Sequence, residues 1–165
     1  MNMTLHHTTI DSPIGELLLV GREGALRGLY MQEGARPKRV PTGSTRADEP
    51  FAAVREQLGE YFAGERVRFE LPLELDGPAF ERTVWEALTE IGYGETRSYG
   101  EIARRIGFPD AARAVGRANG RNPISIIVPC HRVIGADGSL TGYGGGLERK
   151  QFLLEHETGA ARLAI

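Results

Sequence analysis

The chain carries a single cysteine in 165 residues. An internal disulfide is therefore excluded, and a reducing cytoplasm is the expected compartment. A zinc site is excluded too, because it needs about four ligands at short spacings. His6, His7, His131 and His156 make no paired pattern with Cys130. No apolar run approaches bilayer length, so no membrane role is expected. The N-terminal "MNMTLHHTTIDSPIG" has neither the basic start nor the apolar core of a signal peptide. No glycine-rich nucleotide fingerprint follows a strand pattern. There is no internal repeat and no low-complexity tail beyond "GAARLAI". What is present is an ordinary globular composition, 41% hydrophobic and 25% charged. The length suits one large domain or two small ones sharing an interface.

A net charge of -2 argues against a general nucleic-acid binder, but the charge is unevenly spread. Acids outnumber bases from Met1 to Asp76. Between Arg97 and Arg132 the bases are Arg97, Arg104, Arg105, Arg113, Arg117, Arg121 and Arg132, against Glu101 and Asp110 alone. Such a stripe is the footprint of a polyanion-binding face. A solvated helix surface would leave the same trace.

The first part reads as mixed α and β. Two apolar runs flank Arg22-Glu23-Gly24, a hairpin signal. Gly34 to Glu49 reads as a loop. Phe51, Val54, Leu58, Tyr61 and Phe62 fall at helical spacing, with Gly64 as the stop. Val67, Phe69, Leu71, Leu73 and Leu75 alternate as in a half-buried strand, and Pro72 puts that strand at an edge or a bulge. "DGP", Asp76 to Pro78, marks a boundary. It divides an N-terminal α/β domain, 1–76, from a C-terminal helical domain, 77–165.

The second part opens on a helical stripe of Phe80, Val84, Trp85, Leu88 and Ile91. Ser98 and Glu101 form a capping-box pattern for a helix through Ile106, closed by Gly107. After Pro109, Asp110 is placed to cap an alanine-rich helix ending near Gly120. Two short helices and a tight turn, with arginines on the second, suggest a helix-turn-helix. "ISIIV" then reads as a strand, Asp137-Gly138 as a hairpin turn, and "LERKQFLLEHE" as a last helix. Its apolar side is drawn through Leu147, Gln151 and Leu154, broadened by Phe152 and Leu153.

Cys130 sits in "IIVPCHRVIG", placed by this reading at the open end of a strand stopped by Pro129. A lone cysteine is often a small core hydrophobe. A polar His-Arg pair directly after it suits a reactive thiol equally well. A nucleophilic thiol needs a base, and the base needs an orienting group. His131 is the candidate base. Neighbours on an extended chain point opposite ways, so contact with Cys130 requires a bend or a bridging water. Glu155 or Glu157 on the last helix is available to orient the histidine.

"NPISIIVPCHRVIGADGSLTGYGGGLERKQFLLEHE" closely resembles the active-site region of O6-alkylguanine-DNA alkyltransferases, also called methylated-DNA–protein-cysteine methyltransferases. Asn122-Pro123, PCHRV, Gly142-Tyr143 and Leu153-Leu154 carry the likeness in order and spacing. "YGETRSYGEIA" and "AARAVGRANGRNP" resemble the family's helix-turn-helix, and "TIDSPIGELLLV" matches its N-terminal part more loosely. The resemblance implies a small α/β (ribonuclease H-like) domain followed by a mostly helical one with a winged-helix-like helix-turn-helix. It implies repair of O6-alkylguanine, and less readily O4-alkylthymine, in double-stranded DNA by irreversible transfer to Cys130.

By the same resemblance, the nucleotide is flipped out of the duplex, and the second helix enters the minor groove. Ala112, Ala114, Gly116 and Ala118 allow close approach there. Arg113 fills the gap in the stack, where a plain phosphate contact is the simpler role. Arg117 joins the DNA face. Tyr99 turns the lesion phosphate and hydrogen-bonds the leaving guanine. His131 takes the thiol proton through a water, Glu157 holds His131, and Asn122 braces the turn before the cysteine. Tyr143, Gly144, Gly145 and Val133 belong to the pocket. Where some relatives carry a serine, Gly144 offers only its backbone N–H. The role of Arg132 stays open. No cofactor and no metal is implied, since the cysteines of the zinc site found in some members are missing. A thioether product has no leaving group, so each molecule acts once, as a monomer in solution with room for cooperative loading on DNA. Two rivals remain at this point. A papain-type Cys-His hydrolase would turn over, and a redox-sensing DNA-binding regulator would accept no alkyl group.

Overall fold

The computed structural model describes residues 4–22, 24–33, 37–141, 143 and 146–159. Alternating apolar residues build the first sheet. Strands β1 (His6–Ile10), β2 (Leu17–Arg22), β3 (Ala25–Met31) and the short β4 (Thr45–Arg46) lie in the order β3-β2-β1-β4. β2 pairs antiparallel with both neighbours, Thr8 opposite Leu19 and Leu19 opposite Leu29, while β4 runs parallel to β1. Leu17, Leu18 and Leu19 have no exposed surface, so β2 is covered on both faces. A register shift follows Val20, where a β-carbon on Gly21 would lie 2.6 Å from the Ala25 carbonyl. β1 has no counterpart in the sequence reading, because its His-His-Thr-Thr run lacks an apolar alternation.

Helix α1 (Ala52–Phe62) packs Val54, Leu58 and Tyr61 inward, behind the buried Phe51, and ends before Gly64 as its spacing predicts. The alternating Val67–Leu75 stretch is not a strand. Only Leu73 bridges to the sheet, alongside Leu26, and Val67 is 60% exposed. Pro72 lacks the N–H that would extend a ladder, yet its carbonyl accepts from Leu26 N at 2.9 Å. The edge position that Pro72 suggested is therefore correct, and the strand is not.

Helix α2 (Ala79–Leu88) buries Val84, Trp85 and Leu88, with Ile91 following. The Trp85 indole N–H donates to the Ala118 carbonyl at 2.8 Å. Truncating a buried tryptophan costs about 3–5 kcal/mol, so this contact sets α2 firmly against the later helices. A two-residue strand β5 (Arg97–Ser98) leads into α3 (Tyr99–Arg105). The capping box forms: Glu101 N donates to Ser98 Oγ at 3.1 Å, and Ser98 N donates to Glu101 Oε1 at 3.0 Å. Gly107 closes the helix at φ 87°, a conformation that costs a glycine little. Helix α4 (Ala112–Gly120) follows, with Val115 and Ala118 buried. Asp110 does not cap it. The N-cap is Ala111 without a side-chain hydrogen bond, and the turn is closed instead by Ala111 N on the Phe108 carbonyl at 2.9 Å.

The predicted Ile124–Val128 strand is also absent. Ile126 takes φ 72°, and the hydrogen bonds from Ile127 N to Ser125 O and from Val128 N to Ile124 O fold the stretch into turns. β-branched residues favour strands only where a partner edge is available. Here the one available edge, at Leu29 of β3, takes Ile124 alone. The strand that does form is β6 (Val133–Ile134), parallel to β5. Asp137-Gly138 sits in a turn closed by Gly135 N on Ser139 O at 2.8 Å, but no strand follows to make a hairpin. Helix α5 (Leu147–Thr158) is rotated from the predicted face: Lys150, Leu153 and Glu157 are buried, while Leu147 is 49% and Phe152 39% exposed. One core runs through both parts of the chain, from Leu17 and Leu29 through Trp85 and Val115 to Leu153.

Candidate active site

Cys130 opens a single 3₁₀ turn, Cys130–Arg132, and does not end a strand. Three contacts fix that turn from the chain before it. Asn122 Nδ2 donates to the Val128 carbonyl at 2.7 Å, while its Oδ1 accepts from Ile124 N at 3.0 Å. Asn119 Nδ2 donates to the Cys130 carbonyl at 3.3 Å. Leu29 N donates to the Pro123 carbonyl at 2.9 Å, which anchors the same segment to the sheet. Asn122 ties Ile124 to Val128 within this segment, and Asn119, which sequence reading did not single out, ties α4 to Cys130.

The chain bends at this turn instead of continuing extended. His131 is fully buried, and its Nε2 lies 2.7 Å from Glu157 Oε2. Glu155, the other candidate, is exposed and accepts instead from Gln151. Arg132 forks onto Glu157, Nε to Oε1 at 2.7 Å and Nη2 to Oε2 at 3.0 Å, and donates from Nη1 to the Ile91 carbonyl at 2.6 Å. Burial alone would raise the Glu157 carboxyl, but hydrogen bonds from His131 and Arg132, with their charges, hold it at about 2. Glu157 is thus an anion and must accept. The His131 Nε2 then carries the proton, and Nδ1 presents a lone pair. Nδ1 is buried with no hydrogen-bond partner among the described residues. Burial also lowers the His131 pKa against the opposing pull of Glu157, so the ring is neutral near pH 7.

The Cys130 thiol is pushed up by burial, with Asn122 and the Lys150 charge pulling it back. It rests as a thiol, unlike the preformed thiolate of a hydrolase. Lys150 is another group missed in the sequence. Its side chain is buried in α5, and Nζ donates to the main-chain carbonyls of Val133 and Thr141. The Lys150, Leu153, Glu157 spacing, i, i+3, i+7, was its available signal.

Cys130 borders a cavity of about 480 Å³, whose walls include Asn122, Tyr143, Tyr30 and Lys38. Tyr143 is on the wall, with its buried hydroxyl facing the Cys130 thiol. Val133, the first residue of β6, is fully buried in the core and does not line it. Gly144 and Gly145 lie outside the described residues. Tyr99 starts α3, and its hydroxyl donates to the Thr141 carbonyl at 3.2 Å. Across the helix pair, Gly116 faces the Tyr99 ring, while Arg113 and Arg117 are exposed, and Ala112 and Ala114 half-exposed. Ala118 is buried under Trp85, so it belongs to the core and not to an outer face. Among the described residues no helix is long and apolar enough to cross a membrane.

Known proteins carry the same two-part layout. Residues 5–75 match the ribonuclease-like domain of 6-O-methylguanine DNA methyltransferase, and residues 79–159 match its DNA binding domain. A methylated-DNA–protein-cysteine methyltransferase of Mycolicibacterium paratuberculosis is 59% identical over 93% of this chain and 92% of its own. One from Methanosarcina acetivorans is 51% identical over 93% of this chain and 98% of its own. The crystal structure of Mycobacterium tuberculosis OGT in complex with DNA superposes with a TM-score of 0.88 at 56% identity, covering 93% of each chain. With both halves of the chain matched and identity this high, the protein belongs to the 6-O-methylguanine DNA methyltransferase family.

Proposed function

We propose that this protein repairs DNA by moving the alkyl group of O6-alkylguanine, and less readily of O4-alkylthymine, onto Cys130. The observation that carries the reading is Cys130 on the cavity wall, followed in sequence by a buried His131 whose Nε2 is held by Glu157 and whose Nδ1 has no partner among the described residues. In the reaction, His131 Nδ1 takes the thiol proton through one water as the sulfur closes on the alkyl carbon. The carbon–O6 bond breaks, its electron pair goes to the guanine, and the guanine takes up a proton. Tyr99 turns the lesion phosphate and donates to the leaving base. Tyr143 forms part of the pocket wall. The product thioether has no leaving group, so the protein is consumed.

Residues 1–76 serve as the buttressing domain and 77–165 as the DNA-binding, alkyl-accepting one. Double-stranded DNA is taken through the minor groove by α4. Ala112, Ala114 and Gly116 approach closely, Arg113 enters the stack, and Arg117 contacts the backbone. Exposure of both arginines and the small residues between them support this placement. The protein works as a cytoplasmic monomer.

Intact-mass measurement after incubation with a duplex bearing one O6-methylguanine tests the reading. One methylene mass is gained, on Cys130, saturating at one per molecule. Cys130→Ser binds the duplex and gains nothing. Unmodified wild-type protein, or repeated turnover, overturns the proposal.

A further inference from the structure

The Cys130–His131–Glu157 line has a member from outside its own domain. Tyr61, in the last turn of α1, donates its hydroxyl to Glu157 Oε2 at 2.6 Å. That oxygen also receives His131 Nε2 and Arg132 Nη2. The Tyr61 side chain is fully buried, and its ring is set by Phe62, Phe69, Tyr93 and His156 at centroid distances of 5.0 to 6.2 Å. Its carbonyl is bonded in turn to His156 Nε2 at 2.7 Å. Tyr61 and α5 are thus latched by a main-chain and a side-chain contact, one residue apart on α5.

We propose that Tyr61 is a positioning residue for alkyl transfer, setting how strongly Glu157 pulls on His131. The proposal rests on the reaction described above. Three donors on one carboxylate oxygen share its charge, and each weakens what is left for the others. Without the phenol, Oε2 is shared with Arg132 alone, more of its charge faces His131, and the imidazolium becomes easier to form. His131 would then be protonated, and lost as a base, at a higher pH. The other groups around this pair are Arg132, Lys150, Cys130, Tyr143, Tyr93 and His156. All of them are unchanged when only the Tyr61 hydroxyl is removed. A tyrosine kept merely for packing predicts no such effect, because phenylalanine fills the same space.

The test uses the full chain and free O6-benzylguanine, which needs no DNA contact. The rate of benzyl gain by intact mass is followed against pH. In Tyr61→Phe the acid limb moves up by about half to one pH unit, the effect of one hydrogen bond to a charged group partly passed on to its neighbour. Site-specific 3-fluorotyrosine at position 61 is a stronger donor and moves the limb the other way. It also decides the matter if Tyr61→Phe does not fold. Limbs that superimpose on wild type, even with a lowered melting temperature, overturn the inference. A wild-type protein that gains no benzyl group would instead overturn the reaction itself.

Discussion

Arg132 and Glu157 form a two-pronged ion pair with Glu157 6% and Arg132 6% exposed. Glu157 in turn holds His131, so the residue that follows His131 in sequence also clamps the carboxylate of His131 in space. The geometry answers the question that the PCHRV motif left open, for Arg132 faces inward and not toward DNA.

A lysine cannot reproduce that fork. Arg132→Lys leaves a single point contact and an unfilled bond at the Ile91 carbonyl. Breaking one side of a buried pair costs about 3–5 kcal/mol. The retained charge of lysine brings the expected loss to the lower end, about 3 kcal/mol, with slower alkyl transfer. Urea unfolding checks the first figure, and a loss below about 1 kcal/mol would mean that the pair behaves as if solvent-exposed.

Acid should loosen the molecule in two stages. The folded His131 pKa lies below its ordinary 6.5, so below that pH the unfolded chain binds a proton that the folded one refuses. Glu157 is held at about 2 against an ordinary 4.5, so its stabilisation is complete above 4.5 and drains away as pH falls toward 2. Both slopes have the same sign, and the two groups titrate as a coupled pair. Thermal melts should fall from pH 6.5 downward and steepen below 4.5. Glu157→Gln should flatten the lower stage. A wild-type curve level across this range contradicts the assignment.

Arg113 gives a prediction that separates DNA handling from chemistry. Extruding a base costs a few kcal/mol, and a side chain that fills the vacated stack offsets part of it. Arg113→Ala should slow methyl transfer from duplex DNA by about 10- to 100-fold while leaving reaction with free O6-benzylguanine near wild type. Equal slowing on both substrates would make Arg113 a fold residue, and no slowing on either would make it a plain surface charge.

Several parts of this molecule are legible without coordinates. The Ser98–Glu101 capping box is a three-residue relation, complete within one helical turn. The Val84, Trp85, Leu88 stripe is set by helical period alone. The hairpin of β2 and β3 follows from two apolar runs about one turn. Cys130 and the family were legible because the motif around it is contiguous.

Sequence by itself determined the helices, the hairpin, the family and the identity of the reactive thiol, since each rests on local periodicity or on one unbroken motif. Tertiary structure alone decided the rest. Ile124–Val128 has strand-forming residues, but only Ile124 pairs, at Leu29 on the β3 edge, and the chain turns at Ile126. Lys150 is buried because carbonyls distant in sequence, at Val133 and Thr141, take its ammonium. Glu157 outranks Glu155 only through the rotation of α5 against the core. Tyr61 looks like any apolar stripe residue until α1 meets α5, and a hydroxyl finds its carboxylate 96 positions away. Contacts of that kind depend on packing across the whole chain, which no local pattern encodes.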